Sequence, residues 1–139
     1  MKKVGIATHA HLADGMKSVL EMLLGTTEGI TFINAYTEDG CLEDELERFA
    51  ASVEEDSQGI LFTDICGGSV NQKAYQMASA ERKNIMIVTG FNLAAVIEIV
   101  MAPDIMSRRE LEEVVARAKE EMKVMPENVK KTADEEAFF

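Results

Sequence analysis

The 139-residue chain contains only two cysteines and has no long apolar run. Cys41 and Cys66 have no metal-like spacing to each other or to a histidine, which excludes a disulfide framework and a zinc site. No apolar stretch reaches the length of about 20 residues that a membrane span needs. The apolar run near the N-terminus is interrupted by Thr8, His9 and His11, so it is too short for a signal peptide. We therefore expect a cytoplasmic protein without a bound metal.

Basic residues are also scarce. Lys and Arg number 14 against 25 Asp and Glu, which gives a formal net charge of −11. No basic cluster is available to release counterions from a phosphate backbone, so we expect no nucleic-acid partner. A basic protein partner suits this charge better, although an acidic surface that only keeps soluble proteins apart explains it equally well. No GxxxxGK[ST] motif occurs, so nucleotide binding is not indicated.

Apolar residues make up 47% of the chain and follow two alternating patterns. Short continuous runs predict buried strands at residues 3–7, 30–36, 60–63 and 85–89, and apolar residues at helical spacing predict a helix after each of them. The length indicates one domain. The alternation predicts an α/β fold in three layers, α/β/α, with a mainly parallel sheet covered by helices on both faces.

Serine residues mark the starts of two helices. Ser69 is a predicted N-cap, and Ser107 with Glu110 fits a capping box. After the last helix, Val124 and Met125 predict a short edge strand that the following proline ends. We accordingly divide the chain into a domain over residues 1–125 and a polar tail over residues 126–139.

The order of the strands decides which side chains meet at the edge of the sheet. Right-handed crossovers on both faces require one reversal of direction along the sheet, and the common order 2-1-3-4 places it between strands one and three. His9 follows strand one and Asp64 ends strand three, so the fold should make them neighbours. A carboxylate that accepts a hydrogen bond from one imidazole nitrogen fixes the tautomer and leaves the other nitrogen free as a nucleophile.

Gly67, Gly68 and Ser69 stand at the start of the next predicted helix. Backbone N–H groups at a helix N-terminus bind anions, glycine permits close approach, and the serine hydroxyl adds a donor. With His9 they predict a phosphate pocket that faces a nucleophilic histidine, as phosphoryl transfer requires. Taken singly, each feature also has an ordinary structural explanation: a surface histidine, an aspartate that caps a turn, and a Gly-Gly-Ser turn.

Two more reactive side chains lie close to this pocket in the sequence. His11 competes with His9, but it lies inside the turn toward the first helix, where we expect it to point to solvent. Cys66 is predicted to be a small packing residue, because no base is placed to activate its thiol.

Three segments, in order along the chain, resemble the motifs of a known family. Residues 8–16 (THAHLADGM) resemble the (S/T)HGxxAxG(L/M) segment around the phosphorylated histidine of the mannose-type enzyme IIA components of the bacterial phosphoenolpyruvate:sugar phosphotransferase system. Residues 64–69 (DICGGS) resemble that family's DxxGGS motif, and residues 90–93 (GFNL) its GxNxP motif. The resemblance extends over about residues 2–125.

The resemblance implies a phosphocarrier. Such a transferase accepts a phosphoryl group from HPr on His9 and passes it to a separate enzyme IIB, which phosphorylates the sugar entering through the membrane components IIC and IID. Asp64 becomes the orienting carboxylate, and Ser69 with the backbone of Gly67 and Gly68 receives the phosphoryl oxygens. No cofactor is implied, and the chain does not identify the sugar.

The same resemblance implies a homodimer that exchanges an antiparallel C-terminal edge strand, for which residues 123–125 are suited. The chain also departs from the family's pattern. Ala10 stands where a glycine usually follows the histidine, Ala94 replaces the usual proline, and Ile65-Cys66 stands where some relatives have an aromatic residue. None of these departures removes a group that the chemistry needs.

Other functions fit the same residues. The chain could be a regulatory binding module of the same fold, labelled by HPr without onward transfer to an enzyme IIB. It could be the phosphotransfer subunit of a dihydroxyacetone kinase, although the second motif of that subunit lacks the Gly-Gly-Ser form. It could also be a flavodoxin-like domain that binds a small molecule without being phosphorylated.

Overall fold

The computed structural model describes residues 1–81 and 83–126. Strands and helices alternate as the apolar patterns predict, with a fifth helix following the fourth directly. The elements are β1 (Lys2–His9), α1 (Leu12–Leu24), β2 (Ile30–Ala35), α2 (Leu42–Ser52), β3 (Gln58–Thr63), α3 (Ser69–Ala80), β4 (Asn84–Thr89), α4 (Leu93–Met101) and α5 (Arg108–Lys119).

The four strands form one sheet in the order β2-β1-β3-β4, and every neighbouring pair is parallel. The predicted order 2-1-3-4 is therefore confirmed. His9 pairs with Ala35 of β2, and Ala7 pairs with Thr63 of β3. Because the strands are parallel and in this register, the carboxyl ends of β1 and β3 meet at one edge of the sheet.

The helices cover both faces of the sheet, which confirms the three layers. Ile6 and Phe62 point to one face and pack in a fully buried core with residues of α1, α4 and α5. Ala7 and Leu61 point to the opposite face and pack with residues of α2 and α3, among them Phe49. Successive residues of a strand alternate between faces, so the middle of each central strand is apolar on both faces. Each large side chain buried in this way contributes about 1.5–3 kcal/mol.

Three predicted boundaries differ at the edge where the strands end. β1 extends to His9, two residues beyond the predicted end, because His9 still pairs with Ala35. β2 ends at Ala35, since Tyr36 has a φ of +63° and leaves the extended conformation. The N-cap of α3 is Gly68, so the prediction that Ser69 caps this helix was wrong. The Ser69 side chain instead lies beside His9, as described below.

In the C-terminal part of the domain, one predicted helix cap is confirmed and the predicted edge strand stays untested. The Ser107 hydroxyl accepts a hydrogen bond from the Glu110 N–H at 3.1 Å, as its predicted capping role requires. Residues 122–126 adopt no regular secondary structure in the single chain described. Exchange of an edge strand between two chains stays a prediction, and residues 127–139 of the predicted tail lie outside the described residues.

Candidate functional site

The site is organised around His9 and Asp64 at the carboxyl ends of the two central strands. The His9 N–H donates to Asp64 Oδ2 at 2.9 Å, and His9 Nδ1 lies 3.0 Å from Oδ2 and 3.2 Å from Oδ1 of the same carboxylate. The predicted proximity of these two residues is therefore confirmed. The carboxylate holds both the backbone and the ring of the histidine, which leaves the imidazole little freedom to rotate.

Hydrogen bonds from His9 keep Asp64 ionised although its side chain is largely buried. Its side chain is 10% exposed, against 37% for His9. Burial alone would raise the pKa of the Asp64 carboxyl, but the hydrogen bonds from the His9 backbone and ring outweigh burial and hold that pKa below its ordinary value. An ionised carboxylate can only accept hydrogen bonds. We therefore assign the imidazole proton to Nδ1, which leaves the lone pair on Nε2.

Ser69 lies on the Nε2 side of the ring. Its Oγ is 3.4 Å from His9 Nε2, a distance long enough for another group to displace the contact. A Cβ at Gly68 would lie 3.3 Å from the Ile65 carbonyl oxygen, which is a tight contact, and 3.5 Å from His9 Cε1, which is an ordinary van der Waals distance. Gly67 has a φ of +78°, which side-chain-bearing residues adopt only with strain. Both glycines thus shape a turn that brings α3 against the histidine.

The backbone donors of this turn are partly occupied. The Gly67 N–H donates to Asn71 Oδ1 at 3.0 Å, and the Gly68 N–H donates to the Ile65 carbonyl at 3.1 Å. In this conformation the donors left for an anion are the Ser69 hydroxyl and the first N–H groups of α3, which have no partner inside the helix. Phosphate binding by the Gly67 and Gly68 backbone stays a prediction, and it requires the turn to give up these two hydrogen bonds.

The N-terminus of α1 also adjoins His9, but two of its donors are occupied by side chains. The Ala13 N–H donates to Thr8 Oγ1 at 2.8 Å, and the Asp14 N–H donates to Asn34 Oδ1 at 3.2 Å. Thr8 and Asn34 are buried strand residues, so they cap the helix from the sheet. An anion beside His9 is therefore better served by α3 than by α1.

The other reactive side chains near the site are exposed. His11 is 53% exposed, as predicted, and lies 3.6 Å from Asp14 and 3.7 Å from Glu38. Cys66 is exposed, so the prediction that it packs was wrong. Among the described residues, His11, Asp14 and Asp39 offer three ligand-type atoms within 4.8 Å of one another, all on exposed side chains. Exposed acidic groups of this kind are common without an ion.

Comparison with known proteins identifies the family. A family model described as EIIA-man, PTS system fructose IIA component, matches residues 3–119. The chain belongs to the EIIA-man family. No curated protein matches it. None of the helices within residues 1–81 and 83–126 is both long and apolar enough to cross a membrane.

Solved structures of EIIA proteins share this fold. A protein described as a phosphoenolpyruvate-dependent sugar phosphotransferase system permease from Klebsiella pneumoniae is 28% identical with a TM-score of 0.76, over 88% of this chain and 90% of that one. The phosphotransferase system component EIIA from Streptococcus agalactiae is 22% identical with a TM-score of 0.75, over 89% and 97%. The mannose/sorbose-specific IIA subunit from Enterococcus faecalis is 20% identical with a TM-score of 0.68, over 94% and 100%. Family and fold together support a role in phosphoryl transfer within the sugar phosphotransferase system.

The third EIIA motif, residues 90–93, makes contacts that stabilise the fold. Gly90 has a φ of +69°, and its N–H donates to the Thr63 carbonyl at 2.9 Å. Asn92 Oδ1 accepts from the Ala95 N–H at 2.9 Å, and Asn92 Nδ2 donates to the Ala118 carbonyl at 2.7 Å. The asparagine therefore caps the start of α4 and ties it to the end of α5.

One departure from the EIIA pattern has a visible cost. Ala10 has a φ of +50°, in the left-handed region that glycine adopts freely, and its N–H donates to the Ala35 carbonyl at 2.9 Å. A side-chain-bearing residue in this region costs about 1–2 kcal/mol. The glycine that EIIA proteins usually carry after the histidine would avoid this strain.

Two side chains at the site were missed by sequence reasoning. Tyr36 was assigned to the second strand, but its hydroxyl donates to Ser69 Oγ at 2.7 Å and its ring lies 5.7 Å from the His9 ring, centroid to centroid. Lys73 was not singled out, although its Nζ lies 5.6 Å from the Tyr36 ring centroid. No sequence signal marks either residue, because both reach the site only through the packing of β2, α2 and α3.

Proposed function

We propose that this EIIA protein is a phosphocarrier that accepts a phosphoryl group from phospho-HPr on His9 and passes it to a separate enzyme IIB. The observation that supports this proposal best is the contact of His9 Nδ1 with the Asp64 carboxylate. It leaves Nε2 as the only ring nitrogen with a free lone pair, on a histidine that is 37% exposed and that its neighbours hold in place.

The transfer step follows from this geometry. The Nε2 lone pair attacks the phosphorus in line, a new N–P bond forms, and the bond between phosphorus and the donor breaks, its electron pair leaving with the donor. The proton on Nδ1 stays in place, so the ring becomes cationic when Nε2 is phosphorylated. Asp64 stabilises that charge as the buried aspartate of a Ser-His-Asp triad does for its histidine. Transfer to enzyme IIB is the same step in reverse, with the acceptor as nucleophile.

The phosphoryl oxygens need donors on the far side of the ring. Ser69 is placed for this role, with its hydroxyl on the Nε2 side and the N-terminus of α3 behind it. Gly67 and Gly68 allow the backbone to come close, and their N–H groups could serve after the turn adjusts. Charge stabilisation by fixed donors is the main contribution that a protein makes to phosphoryl transfer.

The surroundings of His9 suit protein partners. Leu12 is 50% exposed and Ile65 is 56% exposed, and both lie within three positions of a site residue. With the net charge of −11, such a surface favours a partner that presents basic groups around an apolar centre. HPr and enzyme IIB are the partners proposed, acting in the cytoplasm, with only indirect association with the membrane components.

We further propose a homodimer formed through the C-terminal segment. β4 lies at the edge of the described sheet, paired only with β3. Ile85, Met86 and Ile87 of this strand are half-buried rather than fully covered. Open strand edges of this kind pair readily with another chain, and residues 123–125 of a second copy would supply the antiparallel strand.

Labelling with phosphoenolpyruvate, enzyme I and HPr tests the phosphocarrier. The expected product is an acid-labile, base-stable phosphoprotein, absent in His9→Ala and retained in the matched variant His11→Ala. Labelling that persists in His9→Ala would reject His9 as the site. Labelling of the wild type without transfer to any enzyme IIB would instead indicate a regulatory module.

A further inference from the structure

Tyr36 is held in an unfavourable backbone conformation directly beside the histidine. It follows β2 with a φ of +63°, a region that aromatic residues rarely adopt. This conformation brings its hydroxyl within 2.7 Å of Ser69 Oγ and tilts its ring by 50° against the His9 ring. Strained residues that persist at a candidate site often serve its function.

The hydrogen bonds around the site have a fixed direction. The Asp64 carboxylate can only accept, so His9 Nδ1 donates and Nε2 can only accept. The single hydroxyl proton of Ser69 is then the one directed toward Nε2, at 3.4 Å. A hydroxyl that donates its own proton can still accept a hydrogen bond through its lone pairs. The Tyr36 hydroxyl donates this second hydrogen bond to Ser69 Oγ. The chain of donors thus runs from Tyr36 to Ser69 to His9 to Asp64.

A salt bridge also adjoins Tyr36. Lys73 Nζ lies 5.6 Å from the centroid of the Tyr36 ring and 2.6 Å from Glu43 Oε1. The hydrogen bond from Lys73, followed by one from Cys41, lowers the pKa of Glu43 to about 2, so this pair stays charged across the neutral range. The Tyr36 ring is therefore close to both an ammonium group and the imidazole, 5.6 Å and 5.7 Å from its centroid, and these two neighbours hold it beside the site.

We propose that Tyr36 is a positioning residue for phosphoryl transfer, which acts by holding the Ser69 hydroxyl toward His9 Nε2. This role rests on the proposed function. When a phosphoryl group reaches Nε2, the Ser69 proton turns from the nitrogen to a phosphoryl oxygen, while the Tyr36 hydroxyl keeps the serine rotamer in place. No proton leaves Tyr36 or Ser69 in this step.

The chain offers a matched control, because it contains only two tyrosines. Tyr36→Phe removes the hydroxyl and keeps the ring, and Tyr75→Phe makes the same change on an exposed residue of α3 outside the site. Loss of one neutral hydrogen bond predicts a drop of roughly 3- to 10-fold in kcat for transfer from phospho-HPr in Tyr36→Phe, with a small change in KM. Tyr75→Phe should keep the wild-type rate.

A double variant shows whether Tyr36 acts through Ser69. Tyr36→Phe should slow phosphoryl transfer when it is introduced into the wild type. It should cause no further loss of rate in Ser69→Ala, because the serine that Tyr36 positions is already absent. The ¹⁵N resonance of His9 Nε2 in the unphosphorylated protein gives a second readout. It should move in the same direction in Tyr36→Phe and Ser69→Ala, and should stay unchanged in Tyr75→Phe.

The outcomes separate the two proposals. A wild type that phospho-HPr does not label overturns the proposed function and the role of Tyr36 with it. A labelled wild type whose Tyr36→Phe variant keeps the full rate overturns the role of Tyr36 alone. Additive losses in the double variant, or an unmoved Nε2 resonance, would also overturn it, since each would show that Tyr36 does not act through Ser69.

Discussion

The Asp64 carboxylate binds His9 through both the backbone N–H and ring Nδ1, although the two residues are 55 positions apart in the chain. The two contacts have different consequences. The backbone hydrogen bond fixes the end of β1 against the loop after β3, and the ring contact sets the tautomer and the charge of the imidazole. Replacement of Asp64 should therefore affect both stability and transfer, which can be measured separately.

Asp64→Asn is expected to slow phosphorylation of His9 while the fold is kept. The amide has nearly the same shape, but it lacks the charge that stabilises the cationic phosphohistidine. Loss of a charged hydrogen bond costs about 1.5–3 kcal/mol, which corresponds to a rate reduced roughly 10- to 100-fold. Rapid-quench labelling with phospho-HPr measures the rate, and circular dichroism checks the fold. A well-folded variant with the wild-type rate would remove Asp64 from its assigned role.

The pH dependence of stability should report the same carboxylate. Its pKa is lowered in the folded protein, so the unfolded chain binds the proton more readily. The stabilisation is then complete above the ordinary aspartate pKa of about 4 and is lost as the pH falls through the lower folded value. Urea unfolding at pH 7 and pH 3 should show Asp64→Asn less stable than the wild type at pH 7, with a smaller difference at pH 3. A difference that grows on acidification would contradict the direction of this shift.

The pairing of His9 with Asp64 could be predicted because it depends on general rules. Both residues end buried apolar runs, and the handedness of crossovers restricts the strand order to few arrangements. Tyr36 could not be predicted in the same way. Its run of β-branched and aromatic residues looks like strand to the end, and only the structure shows that the backbone turns at Tyr36 itself.

In the turn after Asp64, the partners of single hydrogen bonds could not be predicted from the sequence either. Two glycines before a helix predict free backbone donors, and the sequence contains nothing against that expectation. The structure shows that the side chain of Asn71, one helical turn further on, accepts from the Gly67 N–H. Ser69 was assigned to the cap for a related reason, since sequence patterns favour serine at this position. Here Gly68 takes the cap, and the serine hydroxyl faces the histidine.

Ala10→Gly is expected to stabilise the protein. Glycine removes the left-handed strain of about 1–2 kcal/mol. Its greater freedom in the unfolded chain cancels about 0.4–1 kcal/mol of that gain. The net gain in the free energy of unfolding should be about 0.5–1 kcal/mol, measured by urea denaturation. The matched variant Ala116→Gly, at an exposed position inside α5, should instead lose about 1 kcal/mol. A loss of similar size in both variants would show that Ala10 is not strained.

Asn92→Ala is expected to destabilise the fold more than the loss of one cap explains. The change removes the acceptor for the Ala95 N–H and the donor to the Ala118 carbonyl, so about 2 kcal/mol should be lost. Asn92→Ser keeps a capping hydroxyl but cannot reach Ala118, so it should lose about 1 kcal/mol. Equal losses in the two urea denaturation curves would indicate that the contact with α5 contributes nothing.

Sedimentation equilibrium tests the proposed dimer. The wild type should have the mass of two chains, and the double variant Val124→Pro with Met125→Pro should have the mass of one. Successive N–H groups of a strand point to opposite sides, so one of these two positions has to donate to β4, and proline cannot donate. The control, Val124→Thr with Met125→Val, keeps strand-forming residues and should stay dimeric. A monomeric wild type would contradict strand exchange, and a dimeric proline variant would assign the dimer to another surface.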